Sequence, residues 1–75
     1  MENNLQTIAE GLSEAQRRVV VHPDNTNDVW PNDRRVENAL IRKGIIAPPQ
    51  FRELCDWTPL GLALRTYLLD QEAKQ

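Results

Sequence analysis

The sequence is poor in the residues that most often announce a function. One cysteine, Cys55, and one histidine, His22, stand in 75 residues. A single thiol excludes an internal disulfide framework and suits a reducing cytosol. A zinc site would need carboxylates such as Asp24 and Asp56 to complete it, at no recognised ligand spacing. Glycine is scarce as well: Gly11, Gly44 and Gly61 are scattered, so no glycine-rich phosphate loop exists. Ser13, His22 and Asp24 contain the letters of a catalytic triad, but Ser13 is better explained as a helix cap. No apolar run reaches the length of a membrane span, and Met1-Glu-Asn-Asn lacks the basic start and apolar core of a signal peptide. The expectation is a soluble, cytoplasmic protein with no catalytic residues, no cofactor and no metal. Aromatic residues are few, and Phe51 alone is placed to stack on a single-stranded base.

The length allows one domain, 1–75, near the size where a single apolar core is only marginally adequate. The net charge is −2, which does not point to a strongly basic nucleic-acid binder. Its distribution is uneven: residues 1–33 carry −4, residues 34–65 carry +3 and the tail carries −1. The middle third therefore presents a basic face that the total hides.

Leu5, Ile8, Leu12, Ala15 and Val19 recur at helical spacings. Gly11 interrupts the pattern, and Ser13 with Gln16 forms a capping box just after it. Either a short helix over 3–11 is followed by a second from Ser13, or one helix runs through; the cap favours two pieces. His22-Pro23 ends whichever helix reaches it. Residues 23–31 read as a polar loop whose apolar pair Val29-Trp30 folds back onto the core.

Asn32 or Asp33 caps the next helix, which buries Val36, Ala39, Leu40 and the aliphatic stem of Lys43. Gly44 stops it in a left-handed conformation, after a basic pair suited to the helix dipole. Ile45-Ile46-Ala47 is a short strand, Leu54-Cys55-Asp56-Trp57 its antiparallel partner, and 49–53 the tip. Thr58 caps a last helix with Pro59 at its first position. Leu60, Ala63, Leu64, Tyr67 and Leu68 mark its buried stripe, and the tail over 70–75 frays. Leu62 and Leu69 lie off that stripe, as a dimer contact or as cover for the N-terminal helix of the same chain. Trp30 and Trp57 supply the main bulk of the core rather than lining a ligand pocket. Cys55 is a small buried hydrophobe and His22 a helix-end residue facing solvent.

Leu12-Ser-Glu-Ala-Gln-Arg-Arg-Val-Val, Ala39-Leu-Ile-Arg-Lys-Gly-Ile-Ile and Trp57-Thr-Pro-Leu-Gly together resemble the winged-helix (winged helix-turn-helix-like) family. They look like its first core helix, the end of its recognition helix entering the wing, and the return strand with the closing helix. The likeness covers roughly residues 12–69. It implies a mostly helical α+β fold, with three or four helices and a two-stranded antiparallel hairpin as the wing. The family's positioning helix is missing, because His22–Pro31 is a polar loop with two prolines.

The resemblance further implies a small DNA-binding protein, a transcriptional or phage-type regulator. Its contacts would be Arg34, Arg35 and Asn38 on the recognition helix, Arg42 and Lys43 by electrostatic attraction, and Arg52 at the wing tip. The alternative for these residues is an ordinary solvated face shared with Asp33 and Glu37. The alternative for the chain is a protein–protein interaction module, a phage or mobile-element accessory or inhibitor protein, that uses the fold without touching DNA.

Overall fold

The computed structural model describes residues 2–31, 33–49 and 54–73, with side chains from Leu5 onward. Four helices surround a small sheet: α1 (Glu2–Glu10), α2 (Glu14–Val21), β1 (Asp28–Val29), α3 (Arg34–Arg42), β2 (Ile46–Ala47), β3 (Cys55–Trp57) and α4 (Pro59–Ala73). The class is mostly helical α+β with a small hairpin, as expected. No helix among the described residues is long and apolar enough to cross a membrane.

The N-terminal region is two helices because the capping box closes. The Gln16 amide donates to Ser13 Oγ at 3.2 Å, and the Ser13 amide donates to Gln16 Oε1 at 3.1 Å. These bonds satisfy amides that an uninterrupted helix would have paired internally. Residues 22–31 hold no helix, as the sequence expects. They do hold a strand that the sequence reading treats as loop. Asp28 and Val29 pair antiparallel with Asp56 and Cys55, giving a three-stranded sheet in the order β1-β3-β2. Two residues among Asn, Asp and Pro are too few to show an alternating pattern. The expected hairpin is formed by β2 and β3, with Ile46 opposite Trp57 and Ala47 opposite Asp56. Its tip, 50–53, lies outside the described residues.

The core is aliphatic: Ala9, Val19, Val20, Val29, Leu40, Ile45, Ile46, Leu64 and Leu68, with the thiol of Cys55. Neither tryptophan supplies its bulk. Val29 points inward from β1, so its neighbour Trp30 is thrown to the opposite side and is 58% exposed. Trp57 is half-buried at the edge. The last helix turns most of the expected stripe inward, with Leu64 and Leu68 buried and Leu60 and Tyr67 half-buried. The buried face is shifted toward Gly61 and Arg65, whereas Ala63 is exposed. The expected fraying from residue 70 is not seen before Ala73, because Asp70-Gln-Glu-Ala continues the helix with mostly good helix formers.

Two chain segments lock where α3 leaves for β2 and β3 enters α4. Gly44 takes φ 77°, and the amides of Gly44 and Ile45 donate back to the carbonyls of Ile41 and Leu40, both at 3.0 Å. This Schellman closure needs a residue without a Cβ penalty. Thr58 then reaches across. Its hydroxyl accepts from the Gly61 amide at 3.0 Å and donates to the carbonyl of Gly44 at 2.6 Å or of Ile45 at 2.9 Å. Its amide donates to the Ile45 carbonyl at 3.2 Å. A Cβ at position 61 would overlap the Ile45 carbonyl oxygen and come within 2.8 Å of the Trp57 ring.

Gly61→Ala is therefore expected to cost about 2–3 kcal/mol by overpacking against backbone, a fall in melting temperature of about 10–20 °C for a domain this small. Gly11→Ala, whose added methyl meets nothing closer than 3.5 Å, is the matched control. Thermal unfolding followed by circular dichroism checks the pair; equal melting points would contradict the close approach.

Candidate nucleic-acid interface

Helix α3 carries most of the residues that the sequence marks for DNA. Asp33 starts it by accepting from the Arg35 amide at 2.7 Å. Leu40 is buried, and Val36 and Ala39 are half-buried, which fixes the helix rotation. Successive residues turn by about 100°. Arg34, Asn38, Arg42 and Arg35 thus share about 100° of the circumference, and all four are exposed. From Arg34 to Arg42 the stripe runs about 12 Å along the axis, the rise of roughly three to four base pairs.

The acids on the same helix are turned to other work. Asp33 is the cap. Glu37 is half-buried and accepts from the Cys55 thiol at 3.6 Å. Arg34 and Arg42 make no side-chain hydrogen bond or ion pair among the described residues. No ion pair joins these arginines to Asp33 or Glu37 among the described residues, and their exposure fits an ordinary solvated face as well as a contact surface.

Lys43 is placed differently from its expected role. Its stem is exposed, and Nζ donates to the Gly11 carbonyl at 2.8 Å and to Gln16 Oε1 at 3.2 Å. Sitting at the C-cap, beyond the last helical turn, it points to the corner between α1 and α2. The ammonium suits the carbonyl end of α1. Arg52 and Phe51 lie outside the described residues.

Beside α3 lies a cleft of about 740 Å³ between α2 and α3, floored by Ala15, Val19 and Val36 and edged by Trp30, His22 and Asp24. His22 is exposed at the C-cap of α2, as expected, and its Nδ1 accepts from the Asp24 amide at 3.2 Å. The cleft runs along the connection from α2 toward α3.

Two buried polar residues shape this region, and sequence reasoning misses both. Asn25 is 2% exposed. Its Nδ2 donates to the Val19 carbonyl at 2.9 Å, its Oδ1 accepts from the Trp30 amide at 3.0 Å, and its carbonyl accepts from Trp57 Nε1 at 2.9 Å. Arg65 donates through one guanidinium nitrogen to the carbonyls of Val20 at 2.6 Å and His22 at 3.0 Å. Together they satisfy the carbonyl end of α2 and place a cation at its negative pole. Arg65 also lies 5.9 Å from the Trp57 ring centroid, at the outer limit of a cation–π contact. Nothing in the sequence separates Asn25 from Asn27. Arg65 does carry a signal, since it sits four residues after Gly61, the small residue that marks the true contact face.

Comparison with protein-family models, with curated proteins and with solved structures finds no match to this chain.

Burial pushes the Cys55 thiol up from its ordinary 9.0 to about 11, with the Glu37 carboxylate and the Asp56 charge acting in the same direction. A raised thiol pKa favours the protonated form in the folded state. The unfolded chain therefore loses its proton first as pH rises, and stability falls between pH 9.0 and about 11. The loss should be about 2 kcal/mol, measured by urea unfolding across that range. Cys55→Ala should flatten this part of the profile; an unchanged slope would remove the thiol as its cause.

Proposed function

We propose that this chain is a small winged-helix-like DNA-binding protein, a transcriptional or phage-type regulator that reads duplex DNA with α3. The observation that carries the reading is the exposed stripe of Arg34, Arg35, Asn38 and Arg42, on a helix whose acids are used elsewhere. Arginine offers paired donors to a guanine edge, and asparagine offers a donor and an acceptor to adenine. The order α2, α3, hairpin, α4 supports the reading, because it gives the parts that a recognition helix and a wing require. The lack of a positioning helix leaves the α3 stripe and the β2–β3 hairpin as the contact elements. Lys43, tied to Gly11 and Gln16, contributes field rather than a direct contact.

Titration of labelled protein with a duplex of mixed sequence at about 50 mM salt tests this. Amide shifts are expected on residues 32–43 and on the hairpin tip over 49–53. Replacing Arg34 and Arg42 together by alanine should weaken binding by about tenfold to a hundredfold, and should reduce the salt slope by roughly 2 if both contact phosphate. Absence of shifts on α3 overturns the reading.

One observation favours a second use of the fold, as a protein–protein interaction module of the phage or mobile-element accessory type. Trp30 is 58% exposed beside an apolar cleft, and an aromatic side chain in such a position is a common anchor for a partner. Under this reading, a partner is captured from nuclease-treated lysate by the wild-type chain and not by Trp30→Ala. Capture that disappears on nuclease treatment counts against it.

A further inference from the structure

We propose that the cleft between α2 and α3 binds a small organic cation, an ammonium group carried on an aromatic or branched apolar body. Of the large hydrophobics left in solvent among the described residues, Trp30, Leu62 and Leu69, only Trp30 borders a cleft. Its volume of about 740 Å³ falls within the roughly 300–1,000 Å³ of small-molecule sites. Such sites are mainly apolar, with a few polar groups that fix the orientation of the ligand. This one follows that plan.

The floor is apolar and set by helix packing. Val19 of α2 is buried, Val36 of α3 is half-buried, and Ala15 is exposed one turn before Val19. The wall is Trp30. Its backbone is pinned by the buried Asn25, whose Oδ1 accepts from the Trp30 amide at 3.0 Å.

The charges select the occupant. Asp24 and Asp33 both line the cleft. The Asp24 side chain is 86% exposed, and its carboxylate comes no nearer to His22 Nδ1 than 3.9 Å. Asp33 caps α3 through Oδ1, and its other oxygen makes no hydrogen bond among the described residues. The basic groups of the lining are engaged. Arg18 is paired with Glu14 at 2.7 Å. His22 Nδ1 accepts from the Asp24 amide at 3.2 Å, the role of an uncharged ring. The cleft thus sets two carboxylates beside an exposed indole, and both attract a cation. An anion would be repelled by the carboxylates, and a neutral apolar molecule would leave them unused. Residues 1–33, which supply all of the lining except Val36, carry −4 and add a field of the same sign. The site is independent of the DNA reading, because no lining residue belongs to the α3 stripe, and it assigns Trp30 to a ligand rather than to a partner protein.

Titration of labelled protein with benzyltrimethylammonium tests the proposal, in DNA-free buffer at low salt. Concentrations up to about 20 mM bracket a Kd on the order of 1 mM. The Trp30 indole and the amides of Val19 and Val36 should shift and saturate. Benzyl alcohol, aromatic but uncharged, should bind about tenfold more weakly. Asp24→Asn/Asp33→Asn should weaken cation binding about fivefold. Its melting temperature should hold, because asparagine caps a helix as well as aspartate does. Trp30→Leu, read at Val19 and Val36, should also weaken binding about fivefold. Absence of shifts around the cleft at the highest concentration overturns the proposal. So does equal affinity for benzyl alcohol, or either variant binding the cation as tightly as the wild type.

Discussion

The contact of the Gly61 backbone with the Ile45 carbonyl is the constraint on which the rest of this fold depends. Around it, the end of α3, the start of β2, the end of β3 and the start of α4 meet within a few bonds. Thr58 is the common member: it caps α4 through Gly61 and holds the carbonyls of Gly44 and Ile45. A side chain at 61 would push α4 off β2. The Schellman closure at Gly44 sets the angle at which α3 departs. The direction of the basic stripe on α3 is thus set at its far end, by backbone geometry rather than by contacts along its own surface.

The other end of α3 is positioned by the connection from α2, and here polar groups take the place of a helix. Asn25 holds α2, the Trp30 amide just past β1 and the Trp57 ring at once, while Arg65 closes the carbonyls that α2 leaves open. Burying an amide and a guanidinium is costly unless every donor and acceptor finds a partner. Among the described residues no buried side-chain nitrogen or oxygen lacks one. With a core built from aliphatic side chains and one thiol, these ties supply the specificity that larger aromatic packing would otherwise give.

Local chemistry made the helix ends legible. Ser13 with Gln16, Asp33, Gly44 and Thr58-Pro59 each act through a mechanism contained in a few adjacent residues, and each sits where the sequence places it. The exposure of Arg34, Arg35, Asn38 and Arg42 on α3 was legible for the same reason, because the helix rotation follows from Leu40 and the caps. Long-range choices were not. The strand at Asp28–Val29 exists only because β3 passes beside it. On α4 the stripe through Leu60, Leu64, Tyr67 and Leu68 was legible, but the burial of Arg65 and the exposure of Ala63 were not. Lys43 reads as one more cation beside Arg42 until the α1–α2 corner, far away in sequence, takes its ammonium.

Helix α3 divides its residues between two tasks with little overlap. Asp33, Glu37, Leu40 and Lys43 tie it to the fold, whereas Arg34, Asn38 and Arg42 make no side-chain tie among the described residues. Exposed positions free of structural partners tolerate substitution at little cost in stability. Under the DNA reading, the chemistry presented to a groove could then change without disturbing the scaffold that presents it. The same separation holds on α4, where Gly61, Leu64 and Arg65 serve the core and Leu62 and Leu69 do not.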